Sequence, residues 1–166
     1  QDAGGKACVK LETFERASPS VAQISSGLLP IDTVLLSSRA PIGYVAVAQV
    51  PTAINQGFIA MKCQRRVSSV HAWLWTLANL DAIHQKANGS TFQEISKSNF
   101  RPIPMTIASD AVLDEFERVA RPLLDRIIAN EKETRSLAAT RDLLLPKLMS
   151  GELRVGEAGK IVEAAV

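Results

Sequence analysis

Amide, hydroxyl and basic side chains collect in segments of this chain that are predicted to be loops. Such groups bind phosphate oxygens and read base edges, where Arg and Lys pair with guanine and Asn and Gln pair with adenine. Each of them alone is an ordinary turn former or surface residue, so the cluster carries more weight than any single member. The candidate phosphate-binding and base-binding residues are Ser38, Arg39, Tyr44, Asn55, Gln56, Lys62, Arg65, Arg66, Lys86, Asn88, Ser90, Thr91 and Lys97.

Other kinds of chemistry have little support in the sequence. His71 and His84 lie thirteen residues apart without an HExxH pattern, which argues against a metal site. Ser37 and Ser38 lack the GxSxG context of a nucleophile, and neither a GxxxxGK[ST] loop nor a GxGxxG loop occurs. We therefore predict no catalytic residues, no metal and no cofactor, and an enzyme built on the Ser or His residues stays a minor alternative.

Charge and cysteine usage set further limits. Residues 1 to 109 hold ten Lys or Arg against six Asp or Glu, whereas residues 110 to 166 hold nine against eleven. The excess in the first part is compatible with a polyanionic partner and also with an ordinary solvated surface. Cys8 and Cys63 form neither a CxxC pair nor a disulfide framework, and no apolar run reaches the ~18 residues of a membrane span. We expect a cytoplasmic protein that does not enter a membrane.

Three strands and a helix are predicted in the first part of the chain. The β-branched and alternating patterns predict strands over Thr33–Ser37, Gly43–Val50 and Phe58–Cys63, and helical spacing predicts a helix over Val70–Lys86. A further short strand is predicted around Cys8–Leu11.

The predicted strands and helix are joined by loops with recognisable signals. The turn at Ala53–Gly57 contains Asn and Gly, which suit a positive φ. A helical turn is predicted over Ser90–Ile95, and the prolines predict an extended segment over Phe100–Met105.

A long helix follows from Asp110 to Leu148, capped by Ser109 or Asp110. Its length of about 60 Å, at ~1.5 Å per residue, exceeds what a compact body of this size can cover, so the helix requires a partner. Pro122 should kink the helix or restart it, and Pro146 and Gly151 should end it ahead of a loosely ordered tail. An ordinary packed helix is the alternative. The predicted pairing residues, spaced three and four apart, are Leu113, Phe116, Ala120, Leu123, Ile127, Asn130, Thr134, Leu137, Arg141, Leu144 and Leu148.

Together these elements predict an α+β fold, with a small sheet-and-helix head domain followed by a long helix that forms a coiled coil. The predicted domains are residues 1–108 for the head domain, 109–150 for the spacer and dimerisation helix, and 151–166 for the tail. Because the chain begins with Gln1 and the first residues show little pattern, we expect a head domain that is incomplete at its amino end.

The chain contains five notable strings, in the order Leu35–Tyr44, Ala53–Phe58, Gly89–Lys97, Pro102–Pro104 and Leu143–Glu152. In order and spacing they resemble the specificity subunit of type I restriction-modification systems. The resemblance covers about residues 24 to 155 and is most similar to the carboxy-terminal half of such a subunit, whereas residues 1 to 23 do not match. The last of the five strings reads LLLPKLMSGE.

The resemblance implies recognition of double-stranded DNA without catalysis. The head domain would be a target recognition domain that binds a half-site, while methyltransferase subunits modify adenine and a restriction subunit joins through them. Residues shared across a family with many targets are expected to have phosphate-binding or structural roles, and the stretch from Lys62 to Ser69 is a better candidate for specificity. The long helix would pair with a second copy to give a homodimer. A coiled-coil adaptor that binds proteins and not DNA is the alternative function.

Overall fold

The structure is a computed structural model that describes residues 27–63, 66–89, 93–157 and 159–160. The chain divides into two compact units, residues 1–125 and 126–166. Strands and helices occur together in the first unit, so the predicted α+β class is confirmed. The strand predicted at Cys8–Leu11 lies outside the described residues.

A three-stranded antiparallel sheet forms the centre of the first unit. Its strands are β1 (Val34–Ser37), β2 (Val45–Val47) and β3 (Phe58–Met61), in the order β2-β1-β3. The three predicted strands are therefore present, although β2 is shorter than predicted. Gly43 has a φ of +106°, outside the extended region, so β2 begins only after the turn.

The core lies between this sheet and the first helix, α1 (Ser69–Ala78). Ser68 caps α1, because its side chain accepts a hydrogen bond from the His71 backbone N–H, and α1 packs on β1 and β2. The strands and α1 bury apolar side chains between them, and the removal of these side chains from water stabilises the packing of α1 on the sheet. The most fully buried apolar side chains of the strands and α1 are Val34, Leu36, Val45, Val47 and Val70.

The helix predicted over residues 70–86 is wrong in one respect, because it is two helices. α1 ends at Ala78, and α2 (Leu80–Gln85) follows after Asn79, whose backbone is not helical. The Asn79 side-chain amide donates to the Trp75 carbonyl at 2.7 Å. This side-chain contact competes with the backbone hydrogen bonds of a continuous helix, which explains the break.

The predictions for residues 90–105 are also corrected. Glu94 forms isolated β-bridges with Arg39 and Asn88, so the predicted helical turn is wrong at its end, while residues 90–92 lie outside the described part. The short helix instead is α3 (Lys97–Phe100), which Ser96 caps by accepting from the Asn99 backbone N–H. Phe100 is therefore helical and not extended.

The long helix is present as α4 (Asp110–Met149), with 40 residues. It continues through Pro122, so the predicted restart is wrong. A proline removes only one backbone donor, and the other hydrogen bonds of the helix remain. The predicted end at Gly151 is confirmed, because Gly151 has a φ of +76° and its N–H donates to the Leu148 carbonyl at 3.2 Å. The end expected at Pro146 is wrong, since α4 continues to Met149. Residues 155–157 are helical, and residues 158 and 161–166 lie outside the described part, so the loosely ordered tail stays a prediction.

Within the described residues, no helix is both long enough and apolar enough to span a membrane.

Candidate nucleic-acid interface

The loops that carry most of the candidate residues meet at one end of the sheet. Ser37, the last residue of β1, pairs with Phe58, the first residue of β3, and β2 begins beside the same end. The loop from β1 to β2 and the turn before β3 therefore lie side by side. We call this the Ser37 end of the sheet, and the opposite end, where Val34 pairs with Val47 and Met61, the Val34 end.

The loop from β1 to β2 is held closed from inside by Ser37. Its hydroxyl donates to the Pro41 carbonyl and accepts from the Tyr44 backbone N–H, both at 2.8 Å. Ala40 has a φ of +54°, an unusual conformation for a residue other than glycine. The loop thereby exposes Arg39 and Tyr44, and 55% of the Tyr44 surface is accessible.

The turn before β3 is formed by Asn55. Its side-chain oxygen accepts from the Gly57 backbone N–H at 2.8 Å, which makes an Asx turn. The expected positive φ is absent, because neither Asn55 nor Gly57 has a left-handed backbone. Asn55 and Gln56 are exposed, whereas Gly57 is buried against the Arg39 side chain.

A third segment joins the Ser37 end through backbone pairing. The Ile95 N–H donates to the Ser38 carbonyl, and Asn88 and Glu94 exchange two backbone hydrogen bonds, all at 2.9 Å. Asn88 is thereby brought near Arg39. Ser38 itself is buried and its N–H donates to the Gly57 carbonyl, so its backbone joins the loops and its side chain has little surface.

Candidates farther along the chain lie on or beside the short helices. Lys86 follows α2 and Lys97 begins α3, and both side chains are exposed. The Asn99 amide donates to the Lys86 carbonyl at 3.0 Å, which ties these two segments together. Ser90 and Thr91 lie outside the described residues.

The remaining candidates are not at the Ser37 end. Lys62 follows β3 at the Val34 end of the sheet. Arg66 uses its guanidinium within the first unit, donating from Nε to the Asp110 carboxylate at 2.6 Å and from Nη2 to the Ala108 carbonyl at 2.9 Å. Arg65 lies outside the described residues.

A second arginine is also engaged beside the Val34 end. Arg121 of α4 donates to the Asp32 carboxylate at 3.0 Å, to the Ser69 hydroxyl at 3.3 Å and to the Asp125 carboxylate at 2.9 Å. The hydrogen bond that Arg121 donates to Asp32, more than any other contact, raises the pKa of Arg121. This network fastens the start of α4 to the loop before β1.

The predicted pairing residues of α4 differ in their surroundings. Phe116 packs its ring 5.6 Å from the His71 ring, and Ala120 is buried, so the beginning of the seam is already covered by α1 and its neighbours. Leu123 is 63% exposed, whereas its neighbour Leu124 is 1% exposed. Within the fold, the buried row of α4 thus includes Leu124, and Leu123 stays available for the predicted pairing.

Farther along α4 the seam is mostly exposed. Ile127 and Leu137 are large apolar side chains that remain accessible. The polar seam residues Asn130, Thr134 and Arg141 are exposed as well, Leu148 is half-buried and Leu144 is buried.

The model of the type I restriction modification DNA specificity domain family matches residues 18–110, which is more than half of the chain. The chain belongs to this family. The match includes the whole Ser37 end of the sheet, and it confirms the resemblance seen in the sequence strings. It begins at residue 18, so residues 18–23, which the strings leave out, belong to the matched region.

Two curated members of the type I restriction systems are similar to this specificity-domain chain. The MjaIX specificity subunit of Methanocaldococcus jannaschii is 32% identical over 118 residues, which cover 69% of this chain and 27% of the relative. The HindI specificity subunit of Haemophilus influenzae is 24% identical over 132 residues, covering 78% of this chain and 29% of the relative. The chain therefore spans less than a third of the length of these relatives.

One residue at the Ser37 end was missed by the sequence-based set. A Cβ on Gly43 would lie 3.3 Å from His84 Nε2, so this ring of α2 packs against the loop from β1 to β2. His84 and Arg39 also line the same surface groove, with Glu94. No local sequence signal marks His84, because its position depends on how α2 packs on the loop.

Proposed function

We propose that this chain is a DNA-recognition module of a type I restriction-modification complex, which binds a half-site in double-stranded DNA. The observation that carries the proposal is the Ser37 end of the sheet. It presents Arg39, Tyr44, Asn55, Gln56 and Asn88 together, within the region that matches the DNA specificity domain family. A cation beside amides and an exposed aromatic ring suits a phosphate backbone with base edges next to it.

We propose that Arg39 contacts a phosphate. In the part of the chain that the structure describes, the Arg39 guanidinium has no ion-pair partner. The aliphatic part of the Arg39 side chain lies close to Gly57. An unpaired cation can release counterions from DNA, which stabilises the complex most at low salt. Asn88 and Gln56 are then the nearer candidates for base edges.

We also propose that the chain forms a homodimer through α4. Leu123, Ile127 and Leu137 are exposed apolar side chains on the predicted seam, and a partner helix would remove them from water. Two half-site modules on paired helices would then be set apart at a fixed distance along DNA.

The remaining parts of the proposal concern partners. Methyltransferase subunits would dock on the dimer, and a restriction subunit would join through them. Methylation and cleavage would belong to those partners, since no HExxH, GxSxG, GxxxxGK[ST] or GxGxxG pattern occurs in these 166 residues. We place this assembly in the cytoplasm, together with its DNA.

Binding to a pool of random duplexes tests the DNA proposal. The chain is incubated with 30-base-pair duplexes at 50 to 200 mM salt, and the retained DNA is sequenced. We expect enrichment of a short motif and an affinity that falls steeply with salt. Retention of no DNA at any salt, together with stable capture of a methyltransferase subunit, would favour the protein-binding adaptor.

Light scattering tests the homodimer. The wild-type chain should elute with twice its monomer mass, and Leu137→Glu should halve the mass because a carboxylate cannot be buried in an apolar seam without a large cost. Lys132→Glu is the matched control, since Lys132 is exposed and falls opposite the seam in the heptad. A wild-type monomer at tens of micromolar would contradict the paired-helix proposal.

A further inference from the structure

Gly57 lies where an added Cβ would press against the Arg39 side chain. A Cβ at this position would be 3.3 Å from Arg39 Nε and 3.1 Å from Asn55 Oδ1. Both distances are shorter than ordinary contacts of a methyl group with nitrogen or oxygen. The missing side chain therefore leaves the space that the stem of Arg39 occupies.

The backbone of Gly57 does not by itself require glycine. Its φ lies outside the left-handed region, unlike that of Gly43 at +106°. Close approach is thus the feature that glycine provides here, and alanine would change the packing without straining the backbone.

The surroundings of Gly57 also fix the backbone of Arg39. The Gly57 carbonyl accepts from the Ser38 N–H at 2.9 Å, and the Gly57 N–H donates to Asn55 at 2.8 Å. On its other side, Arg39 forms a β-bridge with Glu94. Arg39 is held at its backbone by two segments and along its stem by Gly57, yet its exposed guanidinium has no ion-pair partner among the described residues.

We propose that Gly57, with the Asn55 turn, is a positioning residue that pre-orients the Arg39 guanidinium for a DNA phosphate. This inference rests on the proposed DNA-binding function and assigns Asn55 to positioning instead of base reading. A side chain that is ordered before binding loses less conformational entropy when the complex forms, so binding is tighter than with a free arginine.

A double-mutant cycle tests the proposal with the full chain and a fluorescent 30-base-pair duplex of random sequence. Arg39→Gln should weaken binding about eightfold at 0.1 M salt and lower the slope of log affinity against log salt by about 0.9, the effect of one phosphate contact. Gly57→Ala should weaken binding about threefold to fivefold in the wild-type background, and less than 1.5-fold in Arg39→Gln, because the two changes then act on the same contact.

Three controls separate positioning from misfolding. Gly156→Ala is the matched substitution, since a Cβ there meets nothing within 4 Å, and it should leave binding unchanged. Asn55→Ala loosens the same turn without adding bulk, and it should behave like Gly57→Ala in both backgrounds. The thermal midpoint of each variant reports whether it is folded. Equal losses from Gly57→Ala in the two backgrounds would overturn the proposal.

A measurement without DNA keeps the inference separate from the proposed function. The ¹⁵N–¹H heteronuclear NOE of Arg39 Nε, assigned by its disappearance in Arg39→Gln, should be high in the wild type and low in Gly57→Ala. An unchanged NOE would overturn the positioning role. If the wild-type chain shows this ordered Arg39 but binds no DNA, the proposed function fails while the positioning of Arg39 by Gly57 stands.

Discussion

The two ends of the sheet use their arginines in different ways. At the Val34 end, Arg66 is paired with Asp110, and Arg121 is paired with Asp32 and Asp125. At the Ser37 end, Arg39 is held by packing against Gly57, and no ion pair to it is found among the described residues. The same residue type thus fastens the helix at one end and, among the described residues, presents a guanidinium without an ion pair at the other.

The partners of each arginine distinguish a structural charge from a charge available for binding, which the net charge of the chain cannot do. A guanidinium bonded to a carboxylate is largely neutralised, so it gains little from a phosphate unless the ion pair breaks. A guanidinium that is ordered without a carboxylate retains its full attraction for an anion. Counting cations in the sequence cannot distinguish the two, whereas their partners can.

The packing of α4 at the Val34 end gives the largest expected effect. Leu124→Ala should lower the free energy of unfolding by about 2 to 4 kcal/mol, because Leu124 is buried and its loss leaves a cavity. Leu123→Ala, one residue earlier, should change it by less than about 0.5 kcal/mol in the monomeric background Leu137→Glu. Urea titration measures both. Equal losses would show that α4 does not pack as described.

The same substitution at Arg39 and at Arg66 should have different effects on the salt dependence of DNA binding. Arg39→Gln should remove about one phosphate contact, as seen in the salt slope, whereas Arg66→Gln should leave the slope unchanged. Fluorescence anisotropy over 50 to 200 mM salt measures both. If Arg66→Gln lowers the slope as much as Arg39→Gln, the Arg66 ion pair opens on binding and the Val34 end also contacts DNA.

The ion pair of Arg121 should make a smaller contribution. Asp32→Asn removes the carboxylate and keeps a residue that tolerates the φ of +65° found at position 32. Both side chains are about one-third exposed, so solvent screening reduces the loss to about 1 kcal/mol of unfolding free energy. DNA affinity should stay unchanged. A loss of affinity without a loss of stability would contradict the structural role of this pair.

The smallest effect concerns Cys63 near the Val34 end. Burial raises the pKa of its thiol, and the negative charge of Asp32 adds to the rise. In a Cys8→Ser background, alkylation of Cys63 by iodoacetamide should therefore begin at higher pH in the folded chain than in urea. Asp32→Asn should move the profile part of the way back. Identical profiles for the folded and unfolded chains would show that the thiol is not buried.

The raised pKa of Cys63 makes the stability of the folded chain depend on pH in one direction. Because the folded-state pKa is raised, the folded chain binds the proton more tightly than the unfolded chain. Its contribution to stability is complete below the unfolded pKa and is lost as the pH rises through the folded value. Any alkaline loss of stability at this site should thus be reduced in Asp32→Asn.

The sequence by itself determined the parts of the fold that depend on local pattern. The alternation in Val34–Ser37 and Phe58–Met61, the period of the long helix and the end at Gly151 follow from residue type and spacing, because each is set by neighbours along the chain. The family could also be recognised from the sequence, since five strings in a fixed order are specific in combination.

Only the tertiary structure decided which residues share a surface. Asn79 breaks a helix whose apolar pattern continues, and Leu124 is buried within the fold while its neighbour Leu123 is exposed, since these outcomes depend on contacts across the fold. The sequence alone cannot distinguish the roles of Arg39 and Arg66, because both are arginines. Their partners, Gly57 for one and Asp110 for the other, are distant in sequence and meet only when the chain is folded, so the charge left available for a ligand is a tertiary property.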